Sequence, residues 1–252
     1  MPDNLTGAKE SANQRSIITH AVLIGLTPLI PVPFIDDVVK GYFQRRLVRM
    51  LSAAHGREVS AEDIATLTED RGSGCLRGCL GQAFIFPLKM IFRKVFFFLE
   101  WKRAVDLTSQ SYHQGYLLDY SLREGWLARP PRARSAAEVR AAIDEVCRES
   151  PIRPVESAIK LSFGQSKSML KAGARVLERA LKRITGRPDD AQLSEAVTAV
   201  EAEEEREIGG VVSRLQRSIE AIPDEHFNSL RTRLAARLRA QPTLTQGSGR
   251  RS

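Results

Sequence analysis

The chain has 252 residues, of which 42% are hydrophobic, and its 38 Lys and Arg against 30 Asp and Glu give a formal net charge of +8. This length is enough to bury a hydrophobic core without metals or disulfides, and three cysteines are too few for a disulfide framework, so we expect a reducing, cytoplasmic environment. The positive charge predicts an anionic partner, either lipid or nucleic acid.

The first predicted element is an apolar stretch over residues 17–35, after a polar segment, residues 1–16, that we expect to be a flexible N-terminus. The stretch is about as long as the 20 or so residues that a membrane-spanning helix needs. Pro28, Pro31 and Pro33 nevertheless exclude one straight helix. Two interpretations remain open: a bent or re-entrant membrane segment, and a helix with a turn buried in a soluble core.

An amphipathic helix is predicted next. Asp36 and Asp37 favour its beginning, because carboxylates are stabilised at the positive end of the helix dipole, and Gly56 favours its end. Ser60 then predicts the N-cap of a short helix that reaches about Glu69.

A second apolar region, which we call the aromatic segment, covers residues 83–103. Its eleven Leu, Ile, Phe and Val residues between 83 and 99 favour insertion by about 3 to 7 kcal/mol, but three central cations oppose it by about 2.5 to 3.5 kcal/mol each. A spanning helix is therefore disfavoured. A helix in the headgroup layer and an aromatic core helix with cations at its solvent edge both remain open. The candidates for membrane contact are Phe84, Phe86, Lys89, Phe92, Arg93, Lys94, Phe96, Phe97, Phe98, Trp101, Lys102 and Arg103.

A boundary between two halves is predicted near the Pro130-Pro131 pair, which follows a helix expected over residues 104–123. The interpretation is an apolar helical domain over residues 17–129, either membrane-associated or core, and a charged helical domain over residues 130–241. Residues 242–252 are expected to form a disordered tail.

The second half is predicted to be helical throughout. Ser135 and Glu138 form a capping box for a helix that stops before Pro151. No segment alternates with period two, so no strands are expected and the predicted fold class is an all-α multi-helix bundle. Further helices are predicted over residues 155–184, 190–207, 211–221 and 224–240.

Charge is distributed in blocks along this half. Residues 151–187 carry nine Lys and Arg against two acids, and residues 188–210 carry one Arg against eight acids. A helical hairpin would place these blocks side by side, so we favour mutual neutralisation over an exposed ligand site. The alternative is a basic face that neutralises nucleic acid phosphates. This basic face comprises Lys160, Lys167, Lys171, Arg175, Arg179, Lys182 and Arg183.

No pattern in the sequence predicts a catalytic, cofactor or metal site. Residues 164–168 lack the upstream glycine and the strand of a phosphate-binding loop. Cys75 and Cys79 have no second thiol pair to complete a metal site. Tyr112 and His113 have no nucleophile motif or paired carboxylate beside them. We therefore expect a protein that is not an enzyme.

The order of features between Ile18 and Arg57 is informative: an apolar helix, a turn with Pro31, Pro33 and Asp36, and an amphipathic helix that ends in His-Gly. This order resembles the YcjF-like domain of unknown function that accompanies GTPase domains, and more loosely EcsC-type proteins. The resemblance implies a helical protein that is associated with a membrane or a GTPase and has no established enzymatic activity. Because the chain has no phosphate-binding loop, it implies that any GTPase partner is a separate chain.

The leading hypothesis is therefore a membrane-associated accessory protein at the cytoplasmic face of a membrane, with anionic lipid and a protein, such as a GTPase in trans, as partners. The alternative is a soluble helical adaptor or a nucleic-acid-binding protein that uses the basic face near residues 160–183.

Overall fold

The computed structural model describes residues 3–30, 36–69, 93–127, 134–181 and 190–240, and every regular element in these ranges is a helix, which confirms the predicted all-α bundle. A short 3-10 turn, Thr27–Leu29, follows the first helix. The α-helices of the described ranges are α1 (Asp3–Leu26), α2 (Asp36–Ala54), α3 (Ala61–Thr68), α4 (Arg93–Arg123), α5 (Ala136–Glu149), α6 (Arg153–Gln165), α7 (Lys167–Leu181), α8 (Asp190–Glu220) and α9 (Asp224–Ala240).

Helices α1 and α4 form the central pair of the bundle, and α2 and α8 also pack against α1. The closest approach lies at Gly25, where an added Cβ would be 1.9 Å from Thr108 Oγ1 and 2.9 Å from the Ala104 carbonyl oxygen. The apolar stretch is thus buried in the protein between residues 17 and 30. Its core side chains are Ile17, Ile18, Ala21, Val22, Leu23, Ile24, Leu26 and Ile30.

Within the described ranges, no helix combines the length and the hydropathy that crossing a bilayer requires. Residues 31–35, with Pro31 and Pro33, lie outside these ranges.

Local capping signals are confirmed where the structure describes them. Helix α2 begins at Asp36, and the residue after its C-terminal turn, Gly56, has a φ of 63°, a conformation that glycine adopts without strain. The Ser60 side chain accepts a 3.0 Å hydrogen bond from the Asp63 amide. Ser135 and Glu138 form the complete capping box of α5.

The two halves of the chain share one hydrophobic core. Helix α5 packs against α3, α4 and α9, while α6 packs against α4 and α8. The predicted boundary near residue 130 falls in residues 128–133, which lie outside the described ranges, as does the predicted tail, residues 242–252.

Two helices begin earlier than expected. Helix α1 begins at Asp3, where we expected a flexible N-terminus before residue 17. Helix α4 begins at Arg93 rather than near residue 104, so the end of the aromatic segment and the helix after it are one element. This continuity follows from composition, because neither Gly nor Pro occurs between residues 93 and 114.

The structure has one helix break that was not predicted and lacks one that was. The helix expected over residues 155–184 is divided into α6 and α7 at Ser166, a buried residue whose hydroxyl accepts a 3.2 Å hydrogen bond from Arg214. The break expected at Gly209-Gly210 is absent, since α8 is continuous. The Gly210 position lies against Met169, whose Cε would be 3.0 Å from an added Cβ, so this glycine allows α7 and α8 to pack closely.

Candidate interfacial site

The structure describes part of each predicted surface. In the aromatic segment, the side chains of Trp101, Lys102 and Arg103 are described; in the basic face, Lys160, Lys167, Lys171, Arg175 and Arg179 are described and all are exposed. The other predicted positions carry no described side chain. Only the helical backbone is described at Asp36, Arg93, Lys94, Phe96, Phe97 and Phe98, while Phe84, Phe86, Lys89, Phe92, Lys182 and Arg183 lie outside the described ranges.

Trp101 joins the two predicted surfaces. Its ring packs edge-on against Phe163 of α6, with ring centroids 5.9 Å apart. The Lys167 ammonium, on the first residue of α7, lies 5.6 Å from the centroid of the Trp101 ring. This distance is within the range of a cation–π interaction. The sequence assigned Trp101 and Lys167 to two alternative sites, whereas the structure brings their side chains into contact.

Two leucines are exposed on the helices that meet at this contact. Leu99 of α4 is 53% exposed and Leu161 of α6 is 58% exposed. The Leu161 position could have been recognised from periodicity, because the buried face of α6 carries Val155, Ile159 and Phe163, and Leu161 falls outside that register. Helix α4 thus presents an aliphatic side chain close in sequence to the exposed cations Lys102 and Arg103.

Helix α7 presents its cations as an oblique row, because residues four apart advance about 40° around a helix. Lys167, Lys171, Arg175 and Arg179 recur every four residues and are all exposed, whereas Leu170 and Leu177 are fully buried. At a rise of about 1.5 Å per residue, the row extends over about 18 Å. A row of this length can contact several anionic groups at once. We refer to Trp101 and the exposed residues Leu99, Lys102, Arg103, Lys160, Leu161 and the four cations of this row together as the interfacial patch, within which the described contact is that of Trp101 with Lys167.

The predicted hairpin of basic and acidic blocks is present, since α7 and α8 pack against each other. Gly173 lies against Ile208, and Gly210 lies against Met169, so the two helices run antiparallel. This register puts the backbone of the acidic residues 201–207 level with residues 173–179. The side chains of residues 196–207 lie outside the described part of the chain, so mutual neutralisation stays a prediction.

A polar cluster that the sequence did not reveal connects three parts of the bundle by hydrogen bonds: α1, the turn after α2, and α4. The Asp119 carboxylate accepts a 2.9 Å hydrogen bond from the Asn13 amide and a 2.8 Å hydrogen bond from His55 Nε2. His55 and Asp119 are each 14% exposed. The partners are 64 and 106 residues apart in the chain, so no local pattern could have indicated the cluster.

Two histidine rings, His113 of α4 and His226 of α9, pack against each other between these helices. His113 is 1% exposed, and its Nδ1–H donates a 2.7 Å hydrogen bond to the Ser109 carbonyl oxygen. Its ring lies 6.0 Å from that of His226. Burial lowers the pKa of His113 to about 4 and also lowers that of His226, which keeps both rings neutral at physiological pH.

Within the described residues, no group of three or more His, Cys, Asp or Glu side chains could hold a metal ion. The interfacial patch provides cations, an indole ring and exposed aliphatic groups for binding. Comparison of the chain with protein-family models, curated proteins and solved structures gives no match.

Proposed function

We propose that the protein is a non-enzymatic, membrane-associated helical accessory protein that binds the cytoplasmic face of an anionic membrane through the interfacial patch. The observation that carries this proposal is the position of Trp101 between Phe163 and Lys167, which brings an indole ring and a row of cations to one surface. Tryptophan is enriched at membrane interfaces because its ring is apolar and its N–H is polar.

Electrostatic attraction and shallow burial would act together in this binding mode. Each Lys or Arg near an anionic surface contributes about 1 kcal/mol, and this contribution decreases with salt because counterions screen it. Leu99 and Leu161 would enter the boundary between headgroups and acyl chains, where apolar burial adds to affinity. The apolar stretch of residues 17–30 is not part of the interfacial patch, since most of its side chains are buried in the core.

Vesicle flotation with the full-length chain tests the proposal. We expect the protein to float with vesicles that contain phosphatidylglycerol, to float poorly with phosphatidylcholine alone, and to be released by salt. The double variant Lys167→Glu/Lys171→Glu should lose most of the binding, and Leu161→Ser should weaken it. These three positions are exposed, so the variants are expected to keep the fold, which circular dichroism checks.

The matched control is Arg148→Glu/Arg233→Glu. It makes the same change in net charge at exposed positions of α5 and α9, which pack against each other. We expect this control to bind anionic vesicles almost as well as the unaltered protein. Equal loss in both double variants would show that binding depends on net charge alone and would refute a specific patch.

The resemblance of residues 18–57 to GTPase-associated domains supports a GTPase in trans as the protein partner. The exposed row on α7 also favours the second candidate, a soluble nucleic-acid-binding protein or adaptor. Mobility-shift experiments separate the two candidates: binding to DNA or RNA that is lost in Lys167→Glu/Lys171→Glu but unaffected by Leu161→Ser, without vesicle binding, would favour nucleic acid.

A further inference from the structure

A groove lies along α4 and α9, and the proposed function does not use it. It consists of two adjoining cavities of about 330 Å³ and about 380 Å³. Tyr120 and Arg231 line both cavities, so the two adjoin at these side chains. Volumes of roughly 300 to 1,000 Å³ are typical of ligand pockets.

The first cavity has an aromatic wall. Tyr112 and Tyr116 are stacked with ring centroids 6.3 Å apart, and Phe227 of α9 lies 5.2 Å from Tyr116. Ile219 and Ile222 complete the apolar side of the cavity. A planar or otherwise apolar group would gain both apolar burial and ring contacts there.

The second cavity has a polar wall that is rich in hydrogen-bond donors. Arg231 and Arg239 provide guanidinium groups, and Tyr120 and Thr232 provide hydroxyls. None of the described residues that line this cavity is acidic. Arg231 donates a hydrogen bond to the neutral side-chain oxygen of Asn228, which leaves its positive charge uncompensated by that contact. Guanidinium groups bind phosphate and carboxylate through paired N–H donors.

The carboxylates in the first cavity already have local interactions. Asp119 accepts hydrogen bonds from Asn13 and His55, as described above. Glu220 accepts a 2.9 Å hydrogen bond from Gln216. Asp224 lies in the first turn of α9, where the helix dipole stabilises a negative charge. These interactions leave the carboxylates negatively charged, so the place for an anion is the second cavity, whose described lining contains no acid.

We propose that this groove binds a small organic anion with an aromatic body and a terminal phosphate. The ring lies against Tyr116 and Phe227, and the phosphate lies at Arg231 and Arg239. The cavity with the aromatic wall and the cavity with the cationic wall adjoin at Tyr120 and Arg231, so one molecule that extends past these side chains would contact both walls.

Isothermal titration of the full-length protein with 1-naphthyl phosphate tests the assignment, with 1-naphthol as the neutral comparison. We expect saturable binding of the phosphate and at least tenfold weaker binding of the alcohol. Arg231→Gln/Arg239→Gln should weaken phosphate binding at least tenfold, while vesicle binding stays unchanged because the interfacial patch is intact. The matched control Arg148→Gln/Arg233→Gln, which removes the same charge outside the groove, should bind like the unaltered protein.

Three results of this titration would overturn the proposal, and a fourth comes from peptides. They are equal affinity for the phosphate and the alcohol, unchanged phosphate binding in the Arg231→Gln/Arg239→Gln variant, and no saturable binding at millimolar ligand. If phosphotyrosine peptides bind in place of 1-naphthyl phosphate, the groove recognises a protein rather than a small molecule, which also overturns the proposal.

Discussion

Substitution of Gly25 by Ala tests the central packing of α1 against α4. The new Cβ would lie 1.9 Å from Thr108 Oγ1 and 2.9 Å from the Ala104 carbonyl oxygen. Thr108 is fully buried and its hydroxyl donates a 2.8 Å hydrogen bond to Ala104, so rotation of Thr108 would break that bond. The carbonyl oxygen belongs to the backbone, so relief at that atom requires the two helices to separate.

The expected change is the sum of two opposing effects. Alanine in a helix interior is favoured over glycine by about 1 kcal/mol. Overpacking of a dense core typically costs about 1 to 3 kcal/mol. Because this clash involves a backbone atom, we expect its cost at or above the upper end of that range. We therefore expect Gly25→Ala to lower the free energy of unfolding by about 2 kcal/mol and the melting temperature by about 4 to 8 °C.

Urea unfolding followed by far-UV circular dichroism measures this change, and Gly209→Ala is the matched control. Gly209 lies inside α8, and an added Cβ there meets no atom within 4 Å. Only the gain in helix propensity remains at that position, so Gly209→Ala should raise the free energy of unfolding by about 0.5 to 1 kcal/mol. A Gly25→Ala protein as stable as the unaltered chain would refute the close approach of α1 and α4.

Two further predictions concern the polar groups between helices. Because burial lowers the pKa of His113 from 6.5 to about 4, the unfolded chain binds a proton that the folded chain excludes between these values. The free energy of unfolding should therefore be greatest above about pH 6.5 and fall by about 2 kcal/mol from about pH 7.5 to about pH 5. His113→Gln should reduce this pH dependence of the free energy of unfolding, measured by urea titrations at several pH values. The pKa of His226 is lowered in the same direction, so part of the dependence should remain. An unchanged pH dependence would contradict burial of His113 as its cause. For the 2.8 Å contact of His55 with Asp119, a double-mutant cycle of His55→Ala and Asp119→Ala should give a coupling of about 1 kcal/mol, and simple additivity would show that the hydrogen bond does not contribute.

The sequence by itself determined the helical class and most local helix signals. Gly56, Ser60 and Ser135 predicted the helix ends at which the structure has them, because a cap is an interaction among residues within one turn. Apolar periodicity likewise indicated helices in the second half. These features depend on neighbours along the chain, so local sequence is sufficient to predict them.

Helix continuity was predicted less well because it depends on packing. Gly209-Gly210 has the composition of a break, but Met169 of α7 packs against Gly210 and α8 continues through the pair. The end of α6 at Gln165 was missed although Gly164 precedes it, and the Ser166 hydroxyl accepts a hydrogen bond from Arg214 there. At Gly209-Gly210 a contact from another helix accompanies continuation against the local preference, whereas at Ser166 a contact from α8 accompanies the break.

Only the tertiary structure decided which side chains share a site. The sequence left residues 17–35 open between membrane and core, and the packing of α1 against α4 buries residues 17–30 inside the protein. It also separated Trp101 from Lys167 as parts of alternative surfaces, although their side chains are in contact. Such contacts join residues tens of positions apart, because they depend on which helices are neighbours in the bundle. Neither helical periodicity nor charge spacing contains that information.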